Sequence, residues 1–190
     1  MAMVAIERRW TAREVRQLIA ESPLQTPRYE LVDGELLVTP SPNGIHQEAV
    51  AQLLYALHDY LDGTAIGRAL HSPFDVELES ESVTQPDVFV VPPDEWRRLR
   101  HEMPARHLLL AVEVLSPSSS RHDRVKKRPL YLRHVREYWI GDLDSRLFER
   151  WRPNDDRPEI LVEDLVWHPP AADEPFRLDL PRYFADCFGE

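Results

Sequence analysis

Residues 107–115 read His-Leu-Leu-Leu-Ala-Val-Glu-Val-Leu, an apolar run broken by one acid, Glu113. Runs of this kind, without polar alternation, form strands covered on both faces, and such strands belong to sheets with helices packed on each side. A carboxylate inside such a strand costs several kcal/mol unless something pairs with it. The run therefore asks for an α/β architecture and for a partner to Glu113.

The remaining pattern agrees with that class. Thr11-Ala12-Arg13-Glu14 has capping-box spacing, and Val15, Leu18 and Ile19 follow it, which predicts a first helix ended by Pro23 and Pro27. Apolar runs on either side of Asp33-Gly34 predict a hairpin. A loop, Pro40-Ser41-Pro42-Asn43-Gly44, leads to a second helix with Ile45, Ala49, Leu53, Leu57 and Leu61 on one stripe, widened by Val50 and Leu54. Strands are expected over residues 65–70, 73–78 and 87–91, then a short charged helix over 94–100. A basic helix over 121–135, with Pro129 inside it, follows the apolar run. Strands over 137–142 and 146–151 pair about a turn, and another spans 160–167. Tyr138, Trp139, Phe148 and Trp151 are expected to fill the core or a dimer face.

The chain of 190 residues is thus read as a single α/β domain with a mixed central sheet, an N-terminal helix and a hairpin. Residues 152–190 are read as a C-terminal extension packed on it.

Charge and motif content narrow the function. The net charge of −10 argues against coating nucleic acid by bulk charge, so any such contact needs a local basic patch. The single cysteine, Cys187, excludes an internal disulfide and a thiolate metal cage, and fits a reducing, cytoplasmic compartment. No signal peptide is evident, and no stretch approaches the roughly 18 apolar residues of a membrane helix. Walker A, G-x-G-x-x-G, G-x-S-x-G and H-E-x-x-H patterns are all absent.

A second acid resembles Glu113 in its setting. Asp87 follows Pro86 and opens Asp-Val-Phe-Val-Val. Two carboxylates from neighbouring strands repel each other and call for a shared cation. A hard ion such as Mg²⁺ takes one or two carboxylates, waters and a phosphate. The residues alone equally allow two separate acids, each solvated or bonded to an arginine. Lys126 or Lys127 could complete such a site by stabilising charge on a phosphoryl oxygen, or both could lie on a solvated helix face. Ser116-Pro117-Ser118-Ser119-Ser120 reads as an anion site or as an N-cap.

Taken in order, several segments resemble one family. They are Tyr29-Glu30-Leu31-Val32-Asp33-Gly34-Glu35, Ser41-Pro42 with His46, Gln85-Pro86-Asp87-Val88, and Val112-Glu113-Val114-Leu115-Ser116-Pro117. Asp123 with Lys127 and Tyr131 comes next, then Glu137-Tyr138-Trp139-Ile140 with Asp142. Over roughly residues 11–151 the chain resembles the Uma2 family, also called DUF820, of the PD-(D/E)XK restriction-endonuclease-like superfamily.

The resemblance implies a restriction-endonuclease-like core with acids converging at one sheet end. It makes Asp87 and Glu113 the ligands of Mg²⁺ or Mn²⁺, with the Val114 carbonyl as a third donor. The superfamily lysine usually lies two residues after the second acid, where this chain has Leu115. Lys127 then takes its place from the following helix, with Lys126 as the alternative. Successive helical residues point about 100° apart, so only one of the two can face the site. Glu30 matches the family's extra acid, and otherwise reads as an edge-strand surface acid. His46 lines the site by analogy, and otherwise reads as a capping or surface residue.

Three positions depart from the family pattern. His134 stands where a glycine usually closes the helix, Gly141 replaces a β-branched residue and is expected to weaken its strand, and Pro129 is expected to kink the helix bearing Lys127.

The implied function is a Mg²⁺-dependent endonuclease that hydrolyses DNA phosphodiesters, using Asp87, Glu113, Lys127 and Glu30. DNA would meet the basic stretch of Arg121, Arg124, Lys126, Lys127, Arg128, Arg133 and Arg136, and a homodimer is expected by analogy. The alternative is a catalytically weak or inactive nuclease-fold module that binds nucleic acid or a protein partner. A third reading is a phosphohydrolase acting on a small nucleotide or phosphoester.

Overall fold

Capping, turn and stripe signals each produce the element they predict. In the computed structural model, which describes residues 8–22, 27–116 and 120–190, Thr11 and Glu14 form a reciprocal capping box at the start of α1 (Ala12–Glu21). Strands β1 (Arg28–Val32) and β2 (Glu35–Thr39) pair antiparallel. Asp33 and Gly34 between them have φ of 51° and 81°, as a type I′ turn requires. Asn43 caps α2 (Gly44–Leu61), which buries Ala49, Leu53, Leu57 and Leu61. Ile45, expected on that stripe, is instead exposed.

Then come β3 (Arg68–His71), β4 (Val88–Val91), α3 (Pro93–Leu99) and β5 (Leu110–Val114). The helical segment after β5 has three parts. A short α4 (Ser120–His122) runs into a π turn, Asp123–Lys127, and continues as α5 (Arg128–His134). The chain closes with β6 (Tyr138–Asp142), β7 (Leu147–Trp151), β8 (Glu159–Leu161), β9 (Asp164–Trp167), β10 (Phe176–Asp179) and α6 (Leu180–Phe188).

The central sheet has six strands in the order β3-β4-β5-β6-β7-β8. All its pairings are antiparallel except β5–β6, whose strands are joined by the helical segment, so the sheet is mixed. One face carries Val88, Val112, Trp139 and Phe148 against α2 and α6. The other carries Phe89, Ala111, Tyr138 and Ile140 against Tyr131 of α5. β5 is buried at every position, as its sequence requires.

Several expectations need correction. Residues 73–78 form no strand; Val76 alone makes isolated bridges, to Thr84 and Ala105. The segment 160–167 splits into β8, which edges the central sheet, and β9, which leaves it to pair with β10. Residues 152–190 pack into the domain. Trp167, Phe176, Leu180 and Phe184 enter its main core, and the Tyr183 hydroxyl donates to the Ala49 carbonyl at 2.8 Å.

Gly141 has a packing reason: a Cβ there would lie 3.1 Å from the Phe148 ring. No glycine is needed at position 134, because His134 stays in the helix and Val135 leaves it in an extended conformation. Pro129 lies at the junction where the π turn passes into α5. Tyr138, Trp139, Phe148 and Trp151 are all core residues. Pro23 lies outside the described residues, as do residues 117–119 of the serine-rich segment. Among the described residues, no helix is long and apolar enough to cross a membrane.

Candidate active site

Val88 pairs with Val112 across β4 and β5. One step further along the same register, Asp87 stands opposite Glu113, and side chains two apart on a strand share a face. Both acids therefore rise from the face that carries Phe89 and Ala111, under the helical segment after β5. Both are almost wholly buried.

Asp87 accepts from three directions. Arg28 Nη1 donates to Oδ1 at 2.9 Å, the Val114 N–H donates to Oδ2 at 2.9 Å, and His46 Nε2 lies 3.2 Å from Oδ2. Burial raises the Asp87 pKa, but His46, Arg28 and the Val114 N–H outweigh it, so the carboxyl ends well below its ordinary value. Asp87 is ionised.

His46 Nε2 also lies 3.0 Å from the Val114 carbonyl. A carbonyl can only accept, so Nε2 carries the proton in this arrangement. The ring's Nδ1 is buried with no hydrogen-bond partner. His46 comes from the first turn of α2 because Asn43 starts that helix at this point, its side chain accepting from the His46 N–H.

Glu113 has a different environment. Its Oε1 accepts from Lys127 Nζ at 3.1 Å and from the Tyr131 hydroxyl at 3.2 Å. Lys127 Nζ also reaches Glu30 at 2.8 Å and Asp123 at 3.2 Å. Glu30, fully buried on β1, accepts from the Gln85 N–H at 2.8 Å through its other oxygen. Burial pushes the Glu113 pKa well up, and Asp123, Asp87 and Glu30 push the same way against Lys127. Burial works against the Lys127 charge, yet Glu113, Glu30 and Asp123 raise its pKa well above the ordinary lysine value.

Four buried carboxylates, Glu30, Asp87, Glu113 and Asp123, thus face two fixed cations, Arg28 and Lys127. Without further positive charge, burial and the neighbouring acids push Glu113 toward its protonated form, which covers only part of the shortfall. Asp123, Lys127 and Tyr131 follow one another at four-residue steps and share the buried face of the helical segment. Lys127 enters the acid cluster, and Lys126 leaves for the surface, where it pairs with Glu35 at 2.6 Å.

The donor set fits a hard divalent cation. The Asp87 carboxylate, the Val114 carbonyl and Glu113 supply oxygen only, and the local charge deficit is what such an ion would fill. Among the described residues, no three His, Cys, Asp or Glu side chains form a ready metal cage. An ion here would keep waters or take substrate oxygens, a habit of Mg²⁺ and Mn²⁺ rather than of closed zinc sites.

Two clefts reach this region, and His46 borders both. One, of about 270 Å³, is lined by Arg28, Pro42, His46, His71, Pro73 and Asp87. The other, of about 340 Å³, is lined by Asn43, His46, Ser116, Ser120, Arg124 and Asp142, among others.

The basic helix carries less free charge than its sequence counts. Arg124 pairs with Glu149 at 2.6 Å and Asp142 at 3.1 Å, and Arg133 with Glu79 at 2.7 Å. Arg128 lies over the Trp151 ring, 4.1 Å from its centroid, and Lys127 is buried. Arg121 and Arg136 remain exposed.

Asp87, Glu113, Lys127, Glu30 and His46 therefore converge, while Lys126 stands apart. Sequence reasoning did not single out Arg28. Nothing in its type or spacing marks it, because its partner Asp87 lies 59 positions along the chain.

The family model "Uma2: Putative restriction endonuclease" matches residues 13–178. That span reaches β10, past the 11–151 window of the sequence resemblance. A crystal structure of a "putative nuclease belonging to DUF820" from Anabaena variabilis shares the fold, with a TM-score of 0.69 and 22% identity. The likeness covers 89% of this chain and 96% of that one. No curated protein matches.

Proposed function

The chain belongs to the Uma2 family, and on that footing we propose that it is a nuclease that hydrolyses DNA phosphodiesters with Mg²⁺ or Mn²⁺ at the Asp87–Glu113 site. The observation that carries this reading is the facing pair of buried acids, with Lys127 on one and the Val114 backbone beside the other.

Asp87, Glu113 and the Val114 carbonyl would hold the ion. When bound, a divalent cation there supplies Lewis acidity and charge neutralisation for the attack of water on phosphorus. Lys127 keeps its proton, because three acids surround it. It therefore serves as a fixed positive charge near the reacting phosphoryl group rather than as a base. Glu30 holds Lys127 in place, and Tyr131 orients Glu113. His46 fixes the rotamer of Asp87 and points the Val114 carbonyl. A phosphodiester would enter by the cleft that Arg28 and Asp87 line, where Arg28 offers guanidinium donors to phosphate oxygens.

The resident ion pairs favour a second reading, a nuclease-fold binding module, because Arg28 and Lys127 already neutralise part of the acid cluster. Cleavage separates the two. Supercoiled plasmid and single-stranded DNA are incubated with the protein in Mg²⁺, in Mn²⁺ and in chelator. The nuclease reading expects metal-dependent cleavage that Glu113→Gln abolishes while leaving the fold intact. DNA binding without cleavage in either metal would favour the module.

A further inference from the structure

Arg28, which the nuclease reading sets at the phosphate entrance, is already bonded to Asp87. It sits on β1, nearly buried, with Nη1 on Asp87 Oδ1 at 2.9 Å, on Ser72 Oγ at 3.0 Å and on the Gln85 carbonyl at 3.3 Å. Its Nε is buried and has no hydrogen-bond partner. The same side chain lines the cleft that leads to Asp87. One arginine is thus bound to the acid, carries an unused donor, and borders the entrance.

We propose that Arg28 is an internal cation that keeps Asp87 neutralised until a phosphodiester claims the guanidinium, so that substrate and metal bind cooperatively. This rests on the nuclease reading above.

The argument is one of competing charges. Asp87 is ionised and almost wholly buried, and in the metal-free protein Arg28 is its strongest counter-charge. A divalent ion on Asp87 would meet a fixed positive charge already bonded to the same carboxylate, and that repulsion lowers metal affinity. A phosphodiester in the cleft reverses the balance. Its two anionic oxygens suit the planar guanidinium fork, and the unpartnered Nε–H is a donor ready for one of them. Once Arg28 turns to phosphate, Asp87 loses its counter-charge and gains affinity for the metal. By linkage, the metal raises phosphodiester affinity by the same factor. A metal-loaded site is then assembled chiefly when substrate is present. Arg28 would touch substrate, and would control metal through Asp87.

The test measures Mn²⁺ affinity by electron paramagnetic resonance of the free ion, with wild type and Arg28→Gln, each with and without dimethyl phosphate. That probe is the smallest phosphodiester and carries no base. Arg28→Gln is expected to bind Mn²⁺ roughly tenfold more tightly than wild type, within the usual range of coupling between sites. Dimethyl phosphate is expected to tighten Mn²⁺ binding to wild type by about tenfold, and that factor should shrink to about twofold in the variant. A merely structural arginine would give the opposite sign, since its loss would loosen the site and weaken binding.

Weaker or unchanged Mn²⁺ affinity in folded Arg28→Gln, with wild type still binding, overturns the role of Arg28 and leaves the metal site standing. Failure of wild type to bind Mn²⁺ with or without the phosphodiester overturns both. Should Arg28→Gln not fold, the wild-type arm decides alone, because Mn²⁺ binding indifferent to dimethyl phosphate contradicts the proposal.

Discussion

Asp87 and Glu113 face each other across β4 and β5, yet each answers to a different cation, Arg28 for Asp87 and Lys127 for Glu113. The two carboxylates accordingly move in opposite directions, Asp87 held ionised and Glu113 pushed toward its protonated form. That asymmetry is what a site needs if one acid is to be permanently charged and the other is to respond to an added cation.

Lys127 carries a large share of the stability of this arrangement. Three buried carboxylates touch its amine. Lys127→Met should destabilise the protein by about 3–5 kcal/mol, because it leaves buried charge uncompensated. Lys126→Ala, which breaks only an exposed pair with Glu35, should change stability by no more than about 1 kcal/mol. Urea denaturation of the two variants beside wild type checks the contrast.

A methyl group at Gly141 would crowd the Phe148 ring. The Phe148 ring lies 3.1 Å from where a Cβ would stand, and both residues are in the buried sheet. Gly141→Ala is expected to cost about 1–3 kcal/mol through overpacking. In a Phe148→Leu background most of that added cost should vanish, so a double-mutant cycle on thermal unfolding reads the coupling directly.

Glu95 makes the fold sensitive to acid. Although burial raises its pKa, Arg98, the Arg106 N–H and His107 outweigh that and hold the carboxyl at about 2, against an ordinary 4.5. The unfolded chain therefore binds the proton first as pH falls. The stabilisation is complete above about pH 4.5 and is lost as pH drops toward about 2. Glu95→Gln should lower stability at neutral pH by on the order of 2 kcal/mol and flatten its decline between those values. Denaturation midpoints across that acid range measure both effects.

Much of this site is legible in the sequence because its acids contradict their surroundings. Asp87 and Glu113 stand out as charges in apolar strands, and the Asp33-Gly34 turn fixes the hairpin that brings in Glu30. Other features carry no local signal. Arg28 is an ordinary charged residue until β1 lies against the segment that leads into β4, where Leu31 bridges to Val83. The choice between Lys126 and Lys127 is settled only where the helical segment meets the acids, Lys127 sharing its buried face with Asp123 and Tyr131. Residues 152–190 read as an appendage because prolines and polar residues break their pattern. Their aromatics Trp167, Phe176 and Phe184 nonetheless fill the face of the sheet that α2 leaves open. Residues 73–78 read as a strand candidate set off by polar and proline positions, but among the described residues only Val76 finds bridging neighbours.

His46 bears on geometry rather than on charge supply. His46→Ala removes the group that holds both Asp87 and the Val114 carbonyl. Metal-dependent cleavage should fall by roughly 10- to 100-fold, the usual loss when a residue supporting a metal ligand is removed. Steady-state cleavage rates over a Mn²⁺ series test this, and excess Mn²⁺ should restore part of the rate.

The central claim is that Asp87 and Glu113 form a metal-dependent site, and titration calorimetry of Mg²⁺ and Mn²⁺ into wild type and Asp87→Asn tests it most directly. The account predicts binding to wild type that disappears in Asp87→Asn, with both proteins showing the same circular dichroism spectrum. Binding that persists unchanged in Asp87→Asn, or no binding to wild type even with short DNA present, would contradict it.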